Sequence, residues 1–185
     1  MIKEVPVLIK NFIMDKRVAT VAPSSRFVVR RICKSIDFGR DITLVEYGPG
    51  TGVVTKALLQ KMSPKSRLIA IERNKELFLT LKDIKDSRLR VVRGDVLKVD
   101  TLLKNILKKD KADYIVSGIP FSMCKKEERA ILVGKTHFLL SDDGRFILYQ
   151  TSTAMKQHLL PRFPNIKTSF EPINLPPLFI MEASK

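Results

Sequence analysis

Thr43-Leu44-Val45-Glu46-Tyr47-Gly48-Pro49-Gly50-Thr51-Gly52 is a short apolar run that closes on an acid and empties into a glycine-rich turn. Directly after it, Val53, Val54, Ala57, Leu58 and Leu59 form the apolar side of a helical stretch. A strand, a tight turn and a helix in this order start a βαβ unit, in which the next strand lies parallel to the first. Glycine lets a turn at the carboxyl end of such a strand bring its backbone close to a ligand, because no Cβ intervenes. In an open α/β sheet that end is where ligands bind. The third glycine comes one residue too early for the dinucleotide pattern GxGxxG.

The same alternation repeats outward from this stretch. Strands are predicted over 67–72, 89–92, 114–117 and 145–150. Helices are predicted over about 74–81 (with Asn74 as N-cap), 99–108 and 125–140. Asp143-Gly144 reads as the turn into the fifth strand, and Thr153–Leu160 as a short helix. Ile166–Glu171 and Leu178–Glu182 form a closing pair of strands. The six residues 172–177 between them cannot hold a crossover helix, so this pair is expected to be antiparallel. The expected fold is α/β: a seven-stranded, mostly parallel sheet with helices on both faces and one antiparallel strand near the C-terminus.

Three successive strands end at an acid: Glu46 before the glycine turn, Glu72 twenty residues beyond Gly52, and Asp95 after Gly94. A carboxylate at the end of the second strand can accept both hydroxyl hydrogens of a ribose. One after the third strand can accept from an adenine amino group, with Val96 packed on the ring. Glu46 is expected to organise the loop and the amino-acid end of the ligand.

Together Glu46–Gly52, Glu72, Gly94-Asp95 and the fourth-strand end resemble the class I, Rossmann-like S-adenosylmethionine-dependent methyltransferases, over about residues 18–182. The resemblance implies S-adenosyl-L-methionine as cofactor and S-adenosyl-L-homocysteine as product. It places the cofactor on Ser25, Glu46, Tyr47, Gly48, Pro49, Gly50, Gly52, Glu72, Arg73, Gly94, Asp95, Val96, Ser117 and Gly118. Two groups within the superfamily are most similar. Val21–Val28, the cofactor loop, Val116-Ser117-Gly118-Ile119-Pro120 and Asn174-Leu175-Pro176-Pro177 resemble bacterial phospholipid (phosphatidylethanolamine) N-methyltransferases. Ile119-Pro120-Phe121 resembles ribosomal RNA adenine N6-dimethyltransferases. That second group carries Asn or Asp two residues before the proline, to accept from the target amino group, and an aromatic that stacks on the extruded base. Here the polar position is Gly118, and the C-terminal helical domain usual in that group is not expected after the last strand.

The resemblance therefore implies N-methylation of an aminolipid headgroup at a membrane surface. Ser117, Phe121 and Tyr149 are the candidate substrate-lining residues, and no side chain stands out as a general base. RNA methylation is the alternative, and a non-catalytic cofactor- or RNA-binding protein the third possibility.

The chain has 185 residues, 44% of them hydrophobic, enough for one folded domain. It carries 34 Lys+Arg against 19 Asp+Glu, a net charge of +15, which attracts anionic lipid and nucleic acid alike. Over residues 1–38 an arm is expected, distinct from the body at 39–185. Ile2, Val5, Leu8, Ile9, Phe12 and Ile13 recur at helical spacing in it, and Arg26, Arg30, Arg31 and Lys34 lie along a second helical stretch. Such an arm lies in a membrane interface or covers the cofactor. No apolar run is long enough to span a bilayer and the first thirty residues do not read as a leader, so a cytoplasmic, peripherally membrane-associated protein is expected, and a monomer. Cys33 and Cys124 are isolated, as are His137 and His158, so neither a disulfide nor a metal site is expected.

Overall fold

The computed structural model describes residues 24–107 and 110–185. The first half of the chain folds as α1 (Arg26–Lys34), β1 (Thr43–Tyr47), α2 (Val53–Lys61), β2 (Arg67–Glu72), α3 (Lys75–Lys82), β3 (Leu89–Arg93) and α4 (Val99–Leu107). The second half adds β4 (Ala112–Ser117), α5 (Lys126–Leu139), β5 (Leu140–Gln150), α6 (Lys156–Leu159), β6 (Asn165–Glu171) and β7 (Leu178–Ser184). Short 3₁₀ turns at Val96–Lys98 and Phe121–Met123 follow β3 and β4.

The sheet order is β3-β2-β1-β4-β5-β7-β6. Strands β1 to β5 pair in parallel, and β7 runs antiparallel to both β5 and β6. Strand order reverses between β1 and β4, which opens a crevice at their carboxyl ends. Every residue of β1 is buried, as expected of a central parallel strand covered on both faces. Successive side chains alternate between the faces. Val45, Tyr47, Ile69, Ile71 and Ile115 pack with α4 and α5, whereas Leu44, Leu68, Tyr114 and Val116 pack with α1 and α2.

Of the arm expected over 1–38, the residues from 24 onward are described. Val28, Ile32 and Ile36 pack in the same core as β1 and α2. The predicted helix over residues 2–13 and the segment Val21–Pro23 lie outside the described residues.

Two local expectations are corrected. Asp143-Gly144 is not a turn between elements, because β5 runs through it from Leu140. Leu140 pairs with Ala112 and Arg145 with Tyr114, so the surplus residues are taken up by a register shift within the strand. The helix expected over 153–160 shrinks to Lys156–Leu159. Ser152 and Thr153 instead close turns, accepting from the Ala154 and Lys156 amides at 3.3 and 2.9 Å.

Candidate active site

Three loops meet over the crevice between β1 and β4. The first is the glycine turn. Gly48, Gly50 and Gly52 all have positive φ, at 65°, 58° and 80°. At Gly48 a Cβ would also stand 3.0 Å from Ile119 Cγ1, tighter than an ordinary contact, so glycine suits both the left-handed turn and the close approach of the loops after β1 and β4. The turn is tied to β2 by the Gly48 amide donating to the Ile71 carbonyl at 3.0 Å.

Of the three strand-end acids, Glu72 ties this turn and Glu46 ties the helix that follows it. Glu72 Oε2 accepts from the Gly50 amide at 3.2 Å, and Oε1 from the Asn74 amide at 2.9 Å. Asn74 in turn caps α3, accepting from the Glu76 and Leu77 amides. Glu46 is wholly buried. Its Oε2 accepts from the Thr55 hydroxyl at 2.7 Å, while Oε1 has no hydrogen-bond partner. Burial, and to a smaller extent the Glu72 charge, pushes the Glu46 carboxyl up to about 7 despite the Thr55 bond. Burial also raises Glu72, against the amides that favour its charged form. An unpaired buried carboxylate oxygen beside a positive-φ turn is an acceptor awaiting a donor, and a cationic amine satisfies it best.

Asp95 caps the 3₁₀ turn after β3, accepting from the Leu97 amide at 2.9 Å. The Gly94 amide donates to the Glu72 carbonyl at 3.1 Å, so the ends of β2 and β3 are held side by side. Cys124 stands near enough for the charges of Asp95 and Arg73 to act on its thiol. Arg73, Gly94 and Asp95 thus follow the neighbouring ends of β2 and β3, outside the crevice lined by the glycine turn.

The other side of the crevice is built from segments far apart in sequence. It is lined by Gly118–Pro120, Ser122, Tyr149–Ser152 and Asn174–Pro176, with Ser24 across the top. Gly118 lies directly under Tyr149: a Cβ there would be 2.7 Å from Tyr149 Cζ. The Tyr149 hydroxyl bonds Ser24 and feels the Glu46 charge, and burial keeps it protonated far above neutral pH. Asn174 Oδ1 accepts from the Ser25 amide at 2.9 Å, and Arg31 Nε donates to Glu171 Oε2 at 2.5 Å. The β6–β7 connection is thereby fastened to α1, whose N-cap is Ser25.

Not all the expected residues face the crevice. The Ser117 side chain is buried and its hydroxyl accepts from the Ile119 amide at 3.3 Å, which shapes the turn after β4. Phe121 is 1% exposed and packs in the core beneath α5; its neighbours Pro120 and Ser122 line the crevice instead. Tyr47 is also a core residue, with its hydroxyl 3.4 Å from that of Thr136. Gln150 and Ser152 were not singled out from the sequence, because nothing local marks them, whereas Ser24 lay in the flagged stretch Val21–Val28 and Asn174, Leu175 and Pro176 in the flagged motif before the last strand. No cluster of three or more His, Cys, Asp or Glu is present among the described residues.

Residues 24–127 match the family described as ribosomal RNA adenine dimethylase. The chain belongs to this family, within the class I S-adenosylmethionine-dependent methyltransferases. An ornithine lipid N-methyltransferase of Singulisphaera acidiphila is 31% identical, over 91% of this chain and 88% of that protein. A ribosomal RNA small subunit methyltransferase A of Ureaplasma urealyticum is 30% identical, over 68% of this chain and 46% of that protein. The methyltransferase chain thus spans less than half the length of that RNA-modifying relative. Among solved structures, a precorrin-6y C5,15-methyltransferase of Geobacter metallireducens superposes with a TM-score of 0.68 at 16% identity, covering 87% of this chain and 90% of that one. Human methyltransferase-like protein 13 in complex with S-adenosylhomocysteine gives 0.63 at 16% identity, covering 80% and 73%. The protein is an S-adenosylmethionine-dependent methyltransferase, and the unpaired oxygen of Glu46 and the positive-φ turn beside it fit a ligand with an α-ammonium group.

Proposed function

We propose that this methyltransferase transfers a methyl group to the amine headgroup of an aminolipid, of the ornithine lipid or phosphatidylethanolamine kind. The packing of Tyr149 on Gly118 carries this reading. In RNA adenine dimethyltransferases the Gly118 position is expected to hold a polar side chain, and the Phe121 position a ring against the base. Here Tyr149 fills the first space and Phe121 is turned into the core. What remains is a narrow slot with one aromatic ring at its wall, suited to a slender amine rather than a flat base. The lipid-methylating relative, matched over most of both chains, supports the same reading.

The bound cofactor supplies an electrophilic methyl group on a sulfonium. In this proposal the Gly48–Gly52 backbone and Glu46 hold its amino-acid end, Glu72 its ribose hydroxyls, and Asp95 and Val96 its adenine. Displacement needs a neutral amine held about 3 Å from the methyl carbon. The slot wall of Val53, Ile119, Leu175 and Leu178 desolvates the incoming group, which disfavours its ammonium form. Tyr149 stays neutral, so it orients the amine by hydrogen bonding and does not act as a base. The Tyr149 ring also attracts the methylated ammonium product.

The test is mass spectrometry of aminolipid micelles after incubation with enzyme and cofactor. Stepwise methylated headgroups are expected, and they should vanish with Glu72→Ala. Unmodified lipid under conditions where RNA is methylated would overturn the reading in favour of the adenine alternative.

A further inference from the structure

A second groove lies between α1 and α2, on the flank of the crevice. Arg26, Arg30 and Lys34 follow one another at four-residue spacing and so share one face of α1, and Lys56 and Lys61 face them from α2. All five side chains are exposed, and none enters an ion pair among the described residues. No acidic and no aromatic side chain lines this groove. Its floor is apolar, made of Val29, Val53 and Ala57. Ser24 and Val53 line both the groove and the crevice, so the two are continuous.

We propose that this groove binds the phosphate headgroup of an anionic phospholipid, at a site separate from the methyl-acceptor slot. Five cations with no acidic partner among the described residues, Arg26 lying over the ring of Phe27 at 4.9 Å, call for a polyanionic or surface anion. The apolar floor receives the first methylenes of an acyl chain, whereas single-stranded RNA would call for a ring in the groove itself on which to stack a base, and the nearby Phe27 ring lies under Arg26 and does not line the groove. At the adjoining mouth of the crevice, Leu175 and Ile173 are 83% and 57% exposed, apolar contacts for the same interface. The link from this site to catalysis rests on the aminolipid reading; the binding itself does not.

The experiment is co-sedimentation of the full chain, without cofactor, on phosphatidylcholine vesicles with and without phosphatidylglycerol. Phosphatidylglycerol has no amine, so the result is independent of methyl transfer. Binding is expected only with the anionic lipid. Arg30→Ala with Lys61→Ala should weaken it about ten-fold, against less than about two-fold for Lys65→Ala with Lys85→Ala, which removes the same charge elsewhere. Ala57→Phe, which fills the floor and leaves the charge unchanged, should also weaken binding several-fold, with thermal unfolding confirming that the variant is folded. Equal losses in both charge pairs would overturn the site, as would wild-type binding by Ala57→Phe, absence of binding to anionic vesicles, or an effect of the groove variants on RNA binding alone.

Discussion

The two halves of the crevice are built in different ways. On the β1–β2–β3 side, each functional candidate lies at the end of its own strand or in the turn that follows it, and its bonds stay within that turn or reach the turn of the neighbouring strand. Glu72 reaches the Gly50 and Asn74 amides, and Asp95 the Leu97 amide. On the β4–β5 side, the wall is assembled across the chain: Gly118 under Tyr149, Ser25 on Asn174, Arg31 on Glu171. In the proposed assignment the first side serves a fixed cofactor, and short motifs at the strand ends deliver its chemistry. The acceptor side is shaped by tertiary packing, where changing one contact changes what can enter.

Substitutions should separate the two sides. The largest effect is expected on the cofactor side. Glu72→Ala removes the acceptor that holds the glycine turn and, in the proposed role, the ribose hydroxyls. Cofactor affinity measured by calorimetry should fall on the order of 100-fold, as for loss of a charge-assisted bonding group. A loss of less than about three-fold would break the assignment of that side.

Next comes Gly118→Asn, which restores the polar group of the adenine enzymes but has no room beside Tyr149. Overpacking of this kind costs about 1–3 kcal/mol, read as a lower unfolding midpoint, and turnover should fall more than cofactor affinity. Adding Tyr149→Ala should recover most of the stability. Failure to recover would show that Tyr149 is not what excludes a side chain at residue 118.

The third effect is on pH. The Glu46 carboxyl is raised from about 4.5 to about 7 in the folded protein. Its contribution to stability is therefore fully present below pH 4.5 and is lost as pH rises through about 7. That loss is on the order of 3 kcal/mol without cofactor. Affinity for the cationic cofactor should move the opposite way, increasing across the same window as Glu46 ionises. Glu46→Gln should flatten both profiles; a pH-dependence that survives the substitution would assign it to another group. The smallest effect is expected from Asn174→Ala, which removes the bond from the Ser25 amide and an exposed one to the Pro176 carbonyl and costs about 1 kcal/mol, with cofactor affinity unchanged.

This division also explains what could be read from the sequence. The strand-turn-helix repeat, the three strand-end acids and the reversed β7 follow from patterns a few residues long, and they emerged without the structure. The six-residue 172–177 connection alone determined the direction of the last pair. The misreading at Asp143-Gly144 had a local cause as well, since a glycine after exposed acids marks a strand irregularity as readily as a turn. On the acceptor side, Ser117 and Phe121 were expected in the slot because their positions at and just after the end of β4 are right. Which way each side chain turns depends on α5 and on the turn at Ile119, which no local pattern encodes. The reason for glycine at 118 lies thirty-one residues later, in Tyr149.

The most direct test is a competition: labelled S-adenosylmethionine, purified protein, and aminolipid vesicles together with ribosomal RNA in one reaction, followed by phase separation. The account predicts label in the lipid fraction, lost with Glu72→Ala. Label confined to RNA would contradict it and would mean that an adenine enters the slot despite Tyr149.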